Sequence, residues 1–188
     1  MCPSGLSGSG RSRPHRPEIR AELLRRAERD QRVRKSLGSA PTPEQRDAVR
    51  AVDAPNTAWL DVVVSEVGWP GRELVGADGA HAAWLLAQHA ELDRQLRWLP
   101  LVRAAVEAGE ADETHFAYLD DRVRVREERP QRHGTQWVAA GGQHRLCPIE
   151  SPQEVNAYRT ALRLPPLSEH DLQRAHTSYA EIRAQRSR

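Results

Sequence analysis

The chain has 188 residues, enough for one ordinary domain with a hydrophobic core. Its 28 basic and 26 acidic residues leave a formal net charge of +2, which argues against nucleic acid and membrane surfaces as partners. No run approaches the roughly 20 apolar residues that span a bilayer, and no apolar leader is present. Two cysteines, Cys2 and Cys147, do not make a disulfide framework. We expect a soluble, cytoplasmic protein.

The first half of the chain reads as a tail followed by helices. Residues 1–16 are rich in Gly, Ser, Pro and Arg, which predicts a disordered tail ahead of one globular domain over residues 17–188. A first helix is predicted from Pro17 to about residue 38, and Asp30 and Gln31 near its end have no obvious structural duty. Thr42 is a predicted cap for a helix to about residue 52.

A second helix start is predicted near residues 53–56, and that helix must stop at the Gly-Trp-Pro-Gly turn of residues 68–71. Trp69 in that turn is expected to be buried or to line a pocket. The next stretch, residues 82–93, is the most apolar of the chain and predicts a buried helix. Its inward positions recur at helical spacing: Ala82, Leu85, Leu86, His89, Leu92 and Leu96.

The second half contains the predicted β structure. Pro100 is expected to kink or restart the helix there, and a short helix is predicted from His115 to about Asp120. Valines then alternate with arginines over residues 122–126, which predicts a strand that turns at 127–130 and returns over 131–137. Residues 141–142, Gly-Gly, break the chain before further helices. The predicted fold class is α+β, mainly α: a helical bundle with one β-hairpin near 122–137.

Five short motifs occur together in this order: GWP at 68–70, VG at 75–76, AAWLLAQHAE at 82–91, YLDDRV at 118–123 and QRHGTQ at 131–136. In them the chain resembles, over about residues 17–170, a bacterial family described only as a domain of unknown function, with the usual pattern GWP, AAWLLVQHAD, YLTDRV and QxYGTQ. The resemblance implies a common fold and no particular activity. The chain departs from the pattern at Glu91, where Asp is usual, and at His133, where Tyr is usual.

A polar pair on the buried helix is the first candidate site. His89 faces inward, and Asp93 follows one turn later, so its carboxylate can orient the imidazole. The pair is either a satisfied core histidine, or a general acid or base with its orienter, or two metal ligands. His115, Asp120 or Asp121 would complete the metal set, but no characteristic metal-binding spacing supports it.

The predicted hairpin is the second candidate site. With the turn at 127–130, Arg122 lies opposite Thr135, Arg124 opposite His133 and Arg126 opposite Gln131. That face is either an ordinary solvated surface or a binding surface for a carboxylate, an amide or an oxyanion. Gly134 leaves space on the other face for a close approach by backbone or ligand.

These features favour a small cofactor-free acid/base enzyme that acts on a polar small molecule or peptide. The predicted catalytic residues are His89, Asp93, Asp120 as a second acid, and His133; the predicted substrate contacts are Arg122, Gln131, Gln136 and Trp69. No phosphate loop, nucleophile elbow or dinucleotide fingerprint is present, so no nucleotide cofactor is expected. Hydrolysis, cyclisation and isomerisation stay open, as does the oligomeric state. The alternatives are a protein-interaction module and a metal-dependent helical-bundle enzyme.

Overall fold

The computed structural model describes residues 14–38, 41–140 and 143–186. Within these ranges the chain forms eight helices and one two-stranded antiparallel sheet, so the predicted α+β, mainly helical fold class is confirmed. The elements are α1 (Pro17–Lys35), α2 (Pro43–Val67), α3 (Arg72–Gln88), α4 (Leu92–Glu107), α5 (Glu113–Arg126), β1 (Trp137–Ala140), β2 (Gln143–Leu146), α6 (Val155–Ala161), α7 (Glu169–Gln173) and α8 (Tyr179–Arg186).

The predicted tail, residues 1–16, falls mainly outside the described residues, as does Cys2. Its last two residues are held by backbone hydrogen bonds. The N–H groups of His15 and Arg16 donate to the carbonyls of Glu73 and Leu74, at 3.3 and 2.9 Å. These bonds place the start of α1 beside the first turn of α3.

The main core lies between α1, α2 and α3, with Trp98 of α4 closing it. Helix α1 begins at Pro17, as predicted, because proline lacks the N–H that a first helical turn leaves unpaired. Its apolar stripe buries Ile19 and Leu23 against Ala83 and Leu86 of α3. Most of the charged side chains of α1 are therefore left on its outer surface, but Asp30 is buried and Arg26 and Arg34 are half-buried against α2.

Helix α2 is longer than predicted, because it runs through Pro55 without a break. Thr42 and Gln45 form a reciprocal capping box at its start, which confirms the predicted cap. Proline inside a helix leaves one carbonyl of the previous turn without a partner. The Thr57 hydroxyl donates to the carbonyls of Asp53 and Ala54 in the turn that contains Pro55.

The predicted helix over residues 82–93 is interrupted, since α3 ends at Gln88 and α4 begins at Leu92. Gln95 explains the break. Its side chain is fully buried, and its Nε2 donates to the carbonyls of Ala87 and Gln88, at 2.9 and 3.0 Å. Those carbonyls have no partner within α3 because they belong to its last turn. Helix α4 then continues to Glu107 through Pro100, the residue at which the sequence predicted a kink or a restart.

The predicted hairpin at 122–137 is wrong, because residues 122–126 belong to helix α5. Asp112 caps this helix by accepting a hydrogen bond from the Thr114 backbone N–H at 2.9 Å. Leu119 and Val123 are both fully buried one turn apart, so the valine belongs to a helical stripe. Arginine is a good helix former, and alternation with valine over five residues does not override these tertiary contacts.

The observed hairpin lies further along the chain. Strand β1 pairs with β2 in an antiparallel register that places Trp137 opposite Leu146. The connecting residues 141–142, predicted as a break, lie outside the described residues. An irregular loop over residues 131–136 joins α5 to this hairpin, and a parallel bridge pairs Gln131 with Ile149. No helix in the described part of the chain is long and apolar enough to cross a membrane.

Candidate functional site

His89 pairs with a carboxylate, but the partner is Asp30 of α1 and not Asp93. His89 follows α3 directly, and its Nδ1 lies 3.1 Å from Asp30 Oδ1. The predicted pairing with Asp93 is wrong because the helix ends between the two residues, so the one-turn geometry is lost. Asp93 is exposed in the first turn of α4, where it accepts a hydrogen bond from Arg97 at 3.0 Å.

Asp30 is buried, at 1% exposure, and its carboxylate is fully engaged. Besides His89, it accepts hydrogen bonds from Arg34 Nε at 3.0 Å and from Gln31 Nε2 at 2.9 Å. Burial alone raises the pKa of Asp30, but the hydrogen bond and charge of His89 and the charge of Arg34 outweigh it. The pKa therefore lies below its usual range, and Asp30 stays an anion that orients the imidazole.

Asp53 of α2 is the third member of this group. Its Oδ1 accepts a hydrogen bond from Arg34 Nη2 at 2.5 Å, and it lines a cavity of about 380 Å³ together with His89. Burial raises the pKa of Asp53, the negative charge of Asp30 adds to this, and Arg34 and His89 offset it only in part. We call Asp30, Arg34, Asp53 and His89 the His89 cluster.

The His89 cluster has the composition of an acid/base site. One ligand-capable atom from each of Asp30, Asp53 and His89 lies within 4.8 Å of the others. The two carboxylates have pKa values displaced in opposite directions, which is the usual condition for one group to hold a proton while the other stays ionised. Because His89 Nδ1 faces Asp30, its Nε2 is the ring nitrogen left for proton exchange with a ligand.

A second carboxylate–histidine group surrounds Asp121 of α5, which is fully buried. Its two oxygens accept hydrogen bonds from the backbone N–H groups of Arg132, His133 and Thr135, at 2.7 to 3.1 Å. The Thr135 hydroxyl donates at 2.9 Å, and His133 Nδ1 lies 3.4 Å away. Burial by itself raises the pKa of Asp121, but these donors keep it below its usual range. Asp121 therefore shapes the loop of residues 131–136.

The other predicted residues of this loop also have structural contacts. Gln131 is fully buried, donates to the carbonyls of Gln136 and Cys147 and accepts from the Gln136 N–H at 2.7 Å. The Gln136 side chain donates to Thr135 Oγ1 at 3.0 Å. Gly134 has a φ of +65°, and a Cβ there would lie 2.6 Å from Leu167 Cδ1. The side chain of Leu167 thus occupies the space at Gly134. The sequence predicted a close approach by backbone or ligand there instead.

The arginines predicted to share a strand face point in different directions. Arg124 donates to Asp120 Oδ2 at 2.9 Å, so the predicted second acid is held in an ion pair. Arg122 donates to Gln88 Oε1 at 2.8 Å, beside His89. Trp69 lines a different cavity, of about 460 Å³, with Leu74 and Leu101. His89 and His133 have different carboxylate partners, Asp30 and Asp121, so the predicted residues form two separate groups.

The metal set considered from the sequence is not assembled. His115, a predicted completing ligand, lies 3.1 Å from His81 between their ring nitrogens and stacks on Trp84 at 4.1 Å. Burial lowers the pKa of His115 to about 4. Sequence reasoning missed Arg34 and Asp53 of the His89 cluster. Asp30 was noticed only as a polar residue without a duty, and that was the one available signal.

The structure thus defines a mainly helical protein in which a buried carboxylate, Asp30, pairs with a half-buried histidine that lines a small cavity. The chain belongs to the Family of unknown function (DUF6624), whose model matches residues 17–180. This confirms the resemblance to a domain of unknown function. No curated protein and no solved structure matches the chain.

Proposed function

We propose that the protein is an acid/base enzyme and that the His89 cluster transfers protons on a polar small molecule or peptide. The observation that carries this proposal is the grouping, within 4.8 Å, of one imidazole with the buried carboxylate of Asp30 and the half-buried carboxylate of Asp53, whose pKa values are displaced in opposite directions. The 380 Å³ cavity lined by Asp53 and His89 is of the size that holds a small ligand.

Each member of the cluster has a distinct role in this proposal. Asp30 fixes the Nδ1–H tautomer of His89, the role first given to Asp93, so Nε2 accepts a proton as general base. Asp53, whose raised pKa keeps its proton to a higher pH than usual, is the general acid. Arg34 donates to both carboxylates and holds them at a fixed separation. Hydrolysis, cyclisation and isomerisation can each be catalysed by such a pair of proton-transfer groups.

A metal-dependent enzyme is the second candidate, because Asp30, Asp53 and His89 are close enough to ligate one ion. Arg34 favours the acid/base proposal over it. The guanidinium already donates to both carboxylates, at 3.0 and 2.5 Å, and a divalent cation would have to displace it or lie beside its positive charge.

The test is a comparison of variants on a mixture of polar metabolites, followed by mass spectrometry. We expect the wild type to convert at least one compound and His89→Gln and Asp30→Asn to convert it about 10²–10⁴ times more slowly. Asp93→Asn is the matched control, since it removes the rejected partner, and should keep wild-type activity.

Two results would contradict the acid/base proposal. One is a His89→Gln variant that converts the same compounds at the wild-type rate. The other is activity that is lost on treatment with a chelator and restored by one divalent ion per chain, which would establish the metal-dependent candidate instead.

A further inference from the structure

Two arginines of α5 lie near the His89 cluster without acidic partners. Arg122 donates to Gln88 Oε1 at 2.8 Å. Arg126, one helical turn later, donates to the Ala90 carbonyl at 2.6 Å and to Gln95 Oε1 at 3.1 Å. All three acceptors are uncharged, and among the described residues neither arginine has a carboxylate within ion-pair distance. Arg124, between them in sequence, does have one in Asp120.

Within residues 14–38, 41–140 and 143–186, no carboxylate therefore compensates the positive charge at Arg122. Burial, together with the charges of Arg126 and Arg34, lowers the pKa of Arg122 to about 10. At neutral pH the guanidinium is still protonated. A partly buried cation repelled by two others reduces the stability of the folded chain unless an anion is bound.

Gln88 provides a second, independent sign of a missing partner. The residue is 4% exposed, and its Nε2 is buried and without a hydrogen-bond acceptor in the described part of the chain. Its Oε1 is already used by Arg122, which fixes which end of the amide is the donor. Buried donors in folded proteins are nearly always paired, with protein, water or ligand.

We propose that Arg122, Arg126 and Gln88 bind an oxyanion, and that this oxyanion is the carboxylate or phosphate group of the substrate. The guanidinium groups contact only uncharged acceptors in the described part of the chain and the Gln88 Nε2 donor is unpaired there, so these N–H groups are suited to bind such an anion. The identification of this oxyanion as part of the substrate rests on the proposed function. Gln88 precedes His89 in sequence, and Arg34 both bonds to the two acids of the His89 cluster and acts electrostatically on Arg122.

The test uses thermal unfolding of the full chain with inorganic phosphate or acetate as the probe, at an ionic strength held constant with sodium chloride. At roughly 100 times the Kd, we expect the bound anion to raise the Tm by about 5–10 °C. Phosphate alone, acetate alone or both will give this shift, which identifies the group that the site recognises. The proposal is overturned if neither phosphate nor acetate raises the Tm.

Three variants locate the effect. Arg122→Met should lose the anion-dependent shift and have a Tm in chloride at least equal to that of the wild type, because it removes an uncompensated charge. Arg129→Met is the matched control, an exposed arginine paired with Glu127, and should keep the shift. Gln88→Glu places a carboxylate on the atom that Arg122 already contacts. It should raise the Tm in chloride and abolish the response to added anion, and so tests the proposal even if Arg122→Met does not fold.

His89→Gln separates this proposal from the proposed function. It should retain the full anion-dependent shift, because His89 is not among the proposed anion ligands. If the shift persists in wild type and His89→Gln while no compound is converted, the anion site stands and the acid/base proposal falls. If compounds are converted but Arg122→Met shows the same shift as the wild type, only the anion site is refuted.

Discussion

Asp121→Asn is the substitution that most directly tests how the loop of residues 131–136 is held. The change keeps the size of the side chain but replaces one carboxylate oxygen with an NH₂ group, which cannot accept a hydrogen bond. In the wild type, Asp121 Oδ1 accepts from the N–H groups of Arg132 and His133, at 2.7 and 3.1 Å. Oδ2 accepts from the N–H and hydroxyl of Thr135, at 3.1 and 2.9 Å. Replacement of Oδ2 leaves both Thr135 donors without their acceptor. Replacement of Oδ1 leaves the Arg132 N–H without one, whereas the His133 N–H also lies 3.1 Å from Oδ2 and keeps that acceptor.

The expected size of the effect follows from these bonds. A hydrogen bond to a charged group contributes about 1.5–3 kcal/mol, and a buried donor left unpaired adds to the loss. Since Asp121 is fully buried, water cannot replace the missing acceptor. We therefore expect Asp121→Asn to lower the free energy of unfolding by about 3–5 kcal/mol. Urea unfolding followed by tryptophan fluorescence measures this difference.

The difference also has a predicted pH dependence. The pKa of Asp121 is lowered in the folded state, so its contribution is fully present above the unfolded value of about 3.9 and is lost as the pH falls through the folded value. The difference in the free energy of unfolding between wild type and Asp121→Asn should therefore become smaller only below about pH 4. Asp93→Asn is the control, because its exposed carboxylate contacts only its own helix, through Arg97 and the Arg94 backbone. An Asp121→Asn protein within about 1 kcal/mol of the wild type at pH 7 would refute the reasoning.

Two further predictions concern packing and pH. Gly134→Ala should lower the free energy of unfolding by about 1–3 kcal/mol, because the residue has a φ of +65° and the new Cβ would meet Leu167; unchanged urea unfolding would contradict this. His115, whose pKa burial lowers to about 4, stays neutral in the folded chain while the unfolded chain takes up a proton near pH 6.5. As the pH is lowered from about 6.5 to 4, the stability of the wild type should thus fall more steeply than that of His115→Gln. If plots of Tm against pH are parallel for the two proteins, His115 does not cause the pH dependence.

Local signals predicted the helical part of the fold well. The proline at the start of α1 and the Thr42 capping box act within one turn of the chain, so they can be recognised without the rest of the molecule. The break after Gln88 could not be recognised in this way. It depends on Gln95, whose side chain folds back onto the carbonyls of the preceding helix. Nothing in the apolar spacing of residues 82–93 indicates that contact.

The same break decided which carboxylate His89 contacts. Sequence spacing predicted an inward histidine with an acidic partner, and the structure contains such a partner, but it comes from a residue 59 positions earlier. Asp30 and Arg34 lie one turn apart on α1, and the packing of α1 on α3 brings them to His89. Asp53 arrives from α2, two residues before Pro55. A constellation assembled from three helices has no signature in the spacing of any one of them.

The arginines of α5 show how the period of a segment changes its functional interpretation. As a strand, Arg122, Arg124 and Arg126 would share one face, and all three would meet the side chains of residues 131–135. As a helix, positions 122 and 126 lie on one side and position 124 on another. Arg124 thereby meets Asp120, whereas in the described part of the chain Arg122 and Arg126 donate to the side-chain amides of Gln88 and Gln95 and to the carbonyl of Ala90. The helical period thus places Arg124 in an ion pair with Asp120 on one side of α5. It places Arg122 and Arg126 on another side, beside His89 and without a carboxylate partner among the described residues.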